Sequence, residues 1–352
     1  MTTLRLGSRG SPLALFQARL VAERIASTGG PACEIVVIRT SGDHLQERPL
    51  SEIGGKRLFV KEIEDALITG QVDVAVHSSK DMPAVLPDGL TVGAVLERED
   101  PRDALLLGLL GSDPRTGEGA PRETRIATSD PGTGTGVRPQ DLAEIAARVA
   151  TGRIGTGSVR RIAQLRAQFP NASFENVRGN LDTRLRKLDA GEYDLLVLAA
   201  AGLTRLGFTS RISALVPLDD CVPAPGQGII AIEVRSDDTA TRQVVARVDD
   251  ADAAAALDAE RAVVTALGGG CQMPIGAVAV PVGQKDLELG ALVASLDGTR
   301  VIRYKKVGSR TNAATLGREV ADELLRQGAE AILSEAGQSE ARRPGPASLR
   351  LT

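Results

Sequence analysis

The chain has 352 residues, 42% of them hydrophobic and 25% charged, with a formal net charge of −3. That composition fits a globular chain of about two or three domains and excludes a disordered or fibrous protein; no apolar run approaches the ~20 residues of a membrane span. Slight acidity, two tyrosines and no tryptophan exclude charge-driven binding of nucleic acid and leave few stacking platforms.

The N-terminal MTTLRLGSRGSPLAL lacks the apolar stretch and cleavage site of a secretory signal, which predicts a chain that stays in the cytoplasm. LRLGS is a predicted strand, and Ser11 with Pro12 forms an N-cap and first-turn pair for the helix that follows. Leu13, Phe16, Leu20 and Ile25 recur along it at helical spacing, and Gly29-Gly30 ends it. CEIVVIRT reads as a buried strand. LFVKEIEDALITG reads as an amphipathic helix with Phe59, Ile63 and Leu67 on one face and Gly70 as its cap, and VDVAV, 72–76, as the next strand. Strands separated by helices of this length predict a mainly parallel sheet covered on both faces, with ligand sites in the loops at the carboxyl ends of its strands.

HSSKDMP, 77–83, follows that last strand directly. An isolated loop of this kind is a polar turn closed by a proline, but at the end of a parallel strand Lys80 and Asp81 can face a crevice together. His77 reads as a hydrogen-bonded strand-end residue, and the other histidine, His44, falls in a separate polar loop. The charged EREDPRDALL, 97–106, reads as a connection between domains. From Gly108 to about Gly136 the chain is rich in Gly, Pro, Ser and Thr, which places it on the surface. GTGTG, 132–136, lacks the βαβ unit and the acidic residue that a dinucleotide loop needs.

Regular structure resumes in GRIGTGSVRRIAQLRAQFP, 152–170, as a strand RIGT, a turn Thr156–Ser158 with capping hydroxyls, and a helix Val159–Gln168. Arg160 and Arg161 fall in the first turn of that helix, where cations oppose the helix dipole. Two explanations stand: a solvated pair with partners elsewhere, tolerable at below about 1 kcal/mol, or an anion held at the helix start by amides and guanidiniums. Further on, 177–207 places Arg178 before an Asn180 cap, Arg184 inside a helix ending at Gly191, and Arg205 after the strand YDLLVLA. One such arginine is ordinarily a surface residue. Five near the corresponding edge of a second α/β unit point to a cleft for carboxylates or phosphates, each charged hydrogen bond contributing about 1.5–3 kcal/mol.

CVPAPGQGIIAIEVR, 221–235, is a Pro- and Gly-rich crossing and a buried strand that returns the chain to the first domain. The helix DAAAALDAERAVVTALGGG ends in glycines, and C-capping explains one or two of them but not the cysteine in GGGCQMPIG, 268–276. GAVAV, DLELGALVASLDG and TRVIRYKKVG are strands joined by short turns, AATLGREVADELLRQG is an amphipathic helix, and GQSEARRPGPASLRLT has the composition of a disordered end. Cys33, Cys221 and Cys271 are odd in number and far apart, which predicts reduced thiols, no disulfide framework and no metal site.

GSRGSPLAL, GGKRLFVKE, VHSSKDMP, EREDPRDA, GTGSVRR, RGNLDTRLRKL, AGLTRLG, PAPGQG and GGGCQMPIG occur in the order, and nearly the wording, of the porphobilinogen deaminase (hydroxymethylbilane synthase) family. The chain resembles that family over residues 4 to about 335, apart from the irregular insertion. The resemblance implies an α/β protein with two periplasmic-binding-protein-like domains around a cleft and a small α+β C-terminal domain. Residues 1–98 with 225–242 would form the first, 99–224 with an insertion at about 108–150 the second, and 243–335 the third, before a disordered tail at 336–352. It also implies a monomeric cytoplasmic transferase with a small-molecule substrate. Four porphobilinogen molecules are joined head to tail with loss of ammonia, and hydroxymethylbilane is released for tetrapyrrole (haem and porphyrin) biosynthesis.

By the same resemblance, Cys271 holds a dipyrromethane cofactor through a thioether, and the bare glycines before it let a bulky substituent project into the cleft. Asp81 matches the catalytic aspartate, which faces the cation left when ammonia departs and receives the pyrrole N–H groups. Arg9, Ser11, Lys80, Arg160, Arg161, Arg178, Arg184 and Arg205 match positions that hold the acetates and propionates of cofactor and substrate. Ser78, Ser158 and Gln227 are expected polar helpers, Phe59 stacks on or shields a ring, and Cys33 and Cys221 are inert. The chain departs from the family pattern at Gly157, where a second serine is usual, at Arg57, usually glycine, and in the insertion. There TRIATSD, 124–130, mimics the strand before the arginine pair, but only GRIGTGSVRR is followed by the arginines. A hinge-type binding protein for an anionic small molecule would use the same two domains and arginines, without needing Asp81, Cys271 or a third domain.

Overall fold

The computed structural model describes residues 3–40, 60–108, 139–269 and 273–341. His44, Arg57, Phe59, the GTGTG run, TRIATSD and Cys271 lie outside the described residues, as do 342–352.

Strands β1 (Leu4–Ser8), β2 (Cys33–Val37), β3 (Val74–Ser78), β4 (Leu90–Val95) and, much later in the chain, β10 (Ile230–Arg235) form the first sheet, in the order β2-β1-β3-β10-β4. A second sheet is built from β5 (Asp103–Leu107), β6 (Arg153–Gly155), β7 (Ser173–Glu175), β8 (Leu195–Ala199) and β9 (Ala214–Leu215), in the order β7-β6-β8-β5-β9. Parallel pairing joins β1 to β2 and β3, and β6 to β7 and β8. Only β10 in the first sheet and β5 in the second run against their neighbours. Each is the strand that has just crossed from the other domain, β5 after residues 96–102 and β10 after residues 216–229. A chain leaving one sheet at its carboxyl edge enters the next from that edge, so it must run backwards. Both crossings therefore lie where the carboxyl ends of the other strands open.

Helices cover both faces of each sheet. In the first domain α1 (Pro12–Ser27) buries Ala18, Val21 and Ile25 against Leu6, Val76 and Ile232, and α2 (Lys61–Ile68) buries Ile63 and Leu67 on the opposite face. In the second, α3 (Pro139–Arg148) and α4 (Val159–Leu165) pack on one face, and α5 (Leu181–Asp189) and α6 (Ala200–Arg205) on the other. The predicted apolar stripe of α1 is corrected by part of a turn. Its buried face is Gln17, Ala18, Val21 and Ile25, and Leu13, Phe16 and Leu20 are only partly covered, because Gln17 turns inward to bond Ser78. The predicted buried strand CEIVVIRT is an edge strand, β2, with side chains partly or fully exposed. The insertion is not wholly irregular, since α3 lies within it, and α4 is shorter than the predicted Val159–Gln168.

After α7 (Thr239–Val245), helix α8 (Ala251–Ala266) opens the third domain. Strands β11 (Ile275–Val282), β12 (Asp286–Ala294) and β13 (Val301–Ser309) form an antiparallel sheet packed on α8 and α9 (Ala313–Arg326). A last helix, α10 (Ala329–Ala341), takes residues 336–341 out of the expected disordered tail and buries Ala336.

This domain touches both others. Ala253 and Leu257 of α8 pack on Met82, Val95 and Ile229, whereas Val278, Leu292 and Ala294 pack on Ala163 of α4 and on Val222. Buried Glu260 of α8 accepts from Arg98 Nη1 at 2.5 Å, Gly226 N at 2.6 Å and Ala279 N at 2.8 Å. One carboxylate thus ties both crossings to the third sheet. The crossings also bond each other, Glu99 N to Gly228 O at 3.1 Å and Arg98 Nε to Gln227 O at 2.9 Å. Gly228 adopts φ +90°, and a β-carbon there would collide with Glu99 O. Gly228→Ala is therefore expected to destabilise the protein by about 2 to 3 kcal/mol, read from denaturant unfolding; an unchanged midpoint would show that the crossings are not locked at this point.

Candidate functional site

Between β1 and α1 the chain turns at Ser11, whose Oγ caps the helix by accepting from Ala14 N at 3.3 Å, with Pro12 at the first helical position. Arg9 and Ser11 line a cavity with Gln17, Val60, Ser78 and Asp81. Opposite them, β3 runs into a 3-10 turn, Ser79–Asp81. Ser79 N bonds Ile229 O at 3.0 Å, and Met82 N bonds Ser79 O at 3.1 Å. Gly226 of the second crossing, at φ +73°, lies so close that a β-carbon would stand 2.5 Å from Ser79 Oγ. The crossing thus presses on the turn that carries Asp81. Ser78 exchanges hydrogen bonds with buried Gln17, at 2.8 Å and 3.2 Å. His77 is buried and bonds Glu233 Oε2 of β10 at 3.0 Å, in keeping with a structural strand-end residue.

Across the cleft, Ser158 caps α4 by accepting from Arg161 N at 3.4 Å. The two arginines of that first turn are not solvated. Arg160 is 4% and Arg161 7% exposed. The anion that the helix start requires comes from inside the protein: Asp103, at the head of β5, accepts from Arg160 Nη2 at 2.9 Å and from Arg161 Nε and Nη2 at 3.0 Å and 2.7 Å. Arg160 Nη1 also donates to Val222 O at 2.6 Å, and Arg161 Nη1 to Val197 O at 3.0 Å. Gln227 Nε2 completes the cluster with bonds to Asp103 Oδ1 at 2.8 Å and Pro101 O at 2.7 Å. Burial would raise the Asp103 carboxyl, but Arg160 and Arg161 outweigh it and hold it well below the usual carboxylate range. Arg160 Nε stays buried without a partner, as does Arg178 Nε.

For other cations of the cleft, burial is the larger effect. Burial pushes the Lys80 ammonium down to about 8, with Asp81 and Asp103 opposing and Arg161 and Arg160 adding to the shift. Arg184 is pushed down to about 10, first by burial and then by Arg161 and Arg178, against Asp81. Its Nε donates to Gly179 O at 2.9 Å. Burial also lowers Arg178. Lys80, Asp81, Arg160, Arg161, Arg178 and Arg184 therefore share one field, in which the cations outnumber the acids. Arg205 stands apart: its Nη2 bonds Gly228 O at 2.7 Å, burial lowers it, and the charge that opposes this is Glu99 of the first crossing.

The structure thus gathers Arg9, Ser11, Ser78 and Asp81 at one cavity, and Lys80, Arg160, Arg161, Arg178 and Arg184 around Asp81 and Asp103. Gln227 joins them through Asp103, and Phe59 and Cys271 lie outside the described residues. Sequence reasoning missed Asp103 and Gln17. Asp103 carried a signal, an acid heading the apolar run DALLL, but it was absorbed into a charged connection. Gly157, where a second serine is usual, has a neighbour that would be crowded, since a β-carbon would stand 2.9 Å from Asn176 Oδ1.

Two family models match the chain: porphobilinogen deaminase, dipyromethane cofactor binding domain, over residues 4–132 and 137–243, and porphobilinogen deaminase, C-terminal domain, over 254–326. Among curated proteins, the chain is similar to porphobilinogen deaminase of Syntrophobacter fumaroxidans, 44% identical over 94% of this chain and 97% of that one. It is similar also to those of Acidithiobacillus ferrooxidans, 44% identical over 95% and 98%, and of a Roseiflexus species, 42% identical over 94% and 99%. Among solved structures it is similar to immunogenic lipoprotein A of Vibrio vulnificus, with 12% identity, 73% and 99% coverage and TM-score 0.39. The periplasmic VFT2 domain of Bordetella pertussis BvgS has 14% identity, 70% and 86% coverage and TM-score 0.36.

A carboxylate bound beside Lys80 favours its charged form. With burial holding Lys80 down to about 8, binding at pH 8.5 is expected to take up a proton and binding at pH 6 is not. Titration calorimetry of a carboxylate ligand in two buffers of different ionisation enthalpy is expected to show uptake at pH 8.5 that vanishes in Lys80→Arg; equal uptake in both proteins would remove Lys80 from the site.

Proposed function

We infer the activity from one premise: the chain belongs to the porphobilinogen deaminase family. It is a transferase, a hydroxymethylbilane synthase, that condenses four porphobilinogen molecules head to tail with loss of ammonia and releases hydroxymethylbilane for tetrapyrrole biosynthesis. Its cofactor is dipyrromethane. When bound, that group supplies the nucleophilic pyrrole terminus from which the product grows.

The observation that carries this reading is the excess of cations around Asp81. Each porphobilinogen ring bears an acetate and a propionate, so a two-ring primer brings four carboxylates. The cleft answers with Lys80, Arg178 and Arg184, whose charged forms are penalised as they stand, and with buried unpartnered Nε atoms on Arg160 and Arg178. A polyanion relieves each of these. The cofactor therefore fits the residues present.

In our assignment Cys271 holds the cofactor by a thioether. Gly268, at φ +63°, ends α8 shortly before it, and Met273 packs on the third-domain core just after it. Asp81 is the catalytic aspartate. Placed at the end of β3 beside Arg9 and Ser11, its carboxylate faces the exocyclic carbon as ammonia leaves and positive charge develops there. It accepts pyrrole N–H groups, so the ring is held in place while the new bond forms. Arg9, Ser11, Lys80, Arg160, Arg161, Arg178, Arg184 and Arg205 bind carboxylates, with Ser78, Ser158 and Gln227 holding the loops that carry them and Phe59 shielding a ring. Guanidiniums suit this task because a planar fork meets a carboxylate through two parallel bonds.

We place the protein in the cytoplasm as a monomer. Free thiols at Cys33 and Cys221 suit a reducing compartment. No helix among the described residues is long and apolar enough to cross a membrane.

The reading is tested on Cys271→Ser and Asp81→Ala. Intact mass of the wild-type protein is expected to carry a two-ring pyrrole adduct that Cys271→Ser lacks, together with its activity. Asp81→Ala is expected to bind porphobilinogen but turn over about 100-fold slower or worse. A Cys271→Ser protein that polymerises at the wild-type rate would overturn the assignment.

A further inference from the structure

We propose that Asp103 is a positioning residue for the condensation: its carboxylate sets the planes of Arg160 and Arg161 before any ring carboxylate arrives, and Gln227 ties those planes to the crossing between domains. The proposal rests on the reading that these two arginines receive carboxylates of primer or substrate.

One acid serves two buried guanidiniums, so the cluster keeps a net positive charge in a place with almost no water. A purely structural ion pair is stable when its donors are used up. Here they are not: Arg160 Nε has no partner, and Arg161 spends one bond on each of Nε, Nη1 and Nη2, although each Nη carries two hydrogens. The bonds that do exist block rotation. Val222 O and Asp103 hold Arg160 from two sides, and Val197 O and Asp103 hold Arg161. The remaining donors therefore have fixed directions, which is what a ligand carboxylate requires if it is to bind without reordering the site.

Half-neutralisation has a second effect. With Asp103 present, a ring carboxylate is attracted to a cluster that is already partly satisfied, so it can leave again as the chain lengthens. Asp103 also reaches the crossings. Gln227 Nε2 spans Asp103 Oδ1 and Pro101 O, joining the first crossing to the second at the residue that orients the arginines. A displaced arginine plane would move the bond that fastens the crossings together.

The test compares Asp103→Asn and Asp103→Glu with the wild-type holoenzyme, each checked for folding by circular dichroism and for the pyrrole adduct by intact mass. With adduct and folded fraction matched to wild type, Asp103→Asn is expected to lose at least about 10-fold in kcat. Asp103→Glu keeps the charge but shifts it by one methylene, and it is expected to fold and still lose kcat. A merely structural role would be met by Glu and would leave kcat and KM per folded molecule at wild-type values. That result in either folded variant overturns the proposal. A folded variant without adduct supports it, because the primer then finds no oriented seat. Should Asp103→Asn not fold, Asp103→Glu decides by the same criteria. Failure of the underlying reading is recognised separately, by a wild-type protein that carries no adduct and makes no product.

Discussion

The buried carboxylate of Asp103, held between Arg160 and Arg161, is the contact through which the second domain, the crossings and the cleft are joined. Its partners come from two parts of the chain, Arg160 and Arg161 at the start of α4 and Cys221 and Gln227 of the second crossing, and the arginines in turn donate to Val222 O and to Val197 O within β8. Buried ion pairs are weak evidence for stability, because desolvation offsets much of their attraction. They are stronger evidence for geometry, since breaking one partner leaves an uncompensated charge at a cost of about 3–5 kcal/mol. The low proton affinity of Asp103 keeps the cluster ionised across the range in which ordinary carboxyls begin to titrate. Stability from this group is present above the unfolded-state value and is lost only as pH falls far into acid.

The position of the cluster follows from the topology. Each sheet has one reversed strand, fed by a crossing, and the crossings meet where the carboxyl ends of the other strands open. Asp103 is the first residue of the reversed β5, so it stands at the crossing and at the cleft together. Asp81 arises in the equivalent way at the end of β3, pressed by Gly226 of the second crossing. The third domain then braces both sides through Glu260, through Met82 behind the Asp81 turn and through Ala163 on the arginine helix. Binding an anionic molecule between two lobes needs no such brace. A primer anchored at Cys271, as proposed above, would need one, because its far end would have to stay in register with an acid on one lobe and cations on the other.

Much of this was legible in the sequence. Caps at Ser11 and Asn180, C-terminal glycines at Gly70 and Gly191 and the returning strand Ile230–Arg235 could be placed from local chemistry, because each depends on neighbours in sequence. The arginines in the first turn of α4 could be recognised as needing an anion, for the same reason. Which anion could not be read, since Asp103 lies 57 and 58 residues away and its burial depends on sheet order. The inward turn of Gln17 and the edge position of β2 failed for a related reason: periodicity describes an apolar stripe, but a polar bond across 61 residues, or a strand left at a sheet margin, is decided by the tertiary partner.

The directions of the pKa shifts divide the cations of the cleft into two groups. Arg160 is raised, because Asp103 more than offsets its burial, so its charge is answered in part from within. Lys80, Arg178, Arg184 and Arg205 are lowered, because burial is not fully answered by any acid of the chain. A protein that kept such residues only for its own fold would gain by replacing them with apolar side chains of similar volume. Retaining four penalised cations beside two arginines that share one acid makes sense if the missing charge arrives with a ligand. On the assignment proposed above, a growing oligomer that gains two carboxylates with each ring would supply it in steps, and separate, half-satisfied cations would accommodate those steps better than one deep and fully matched pocket.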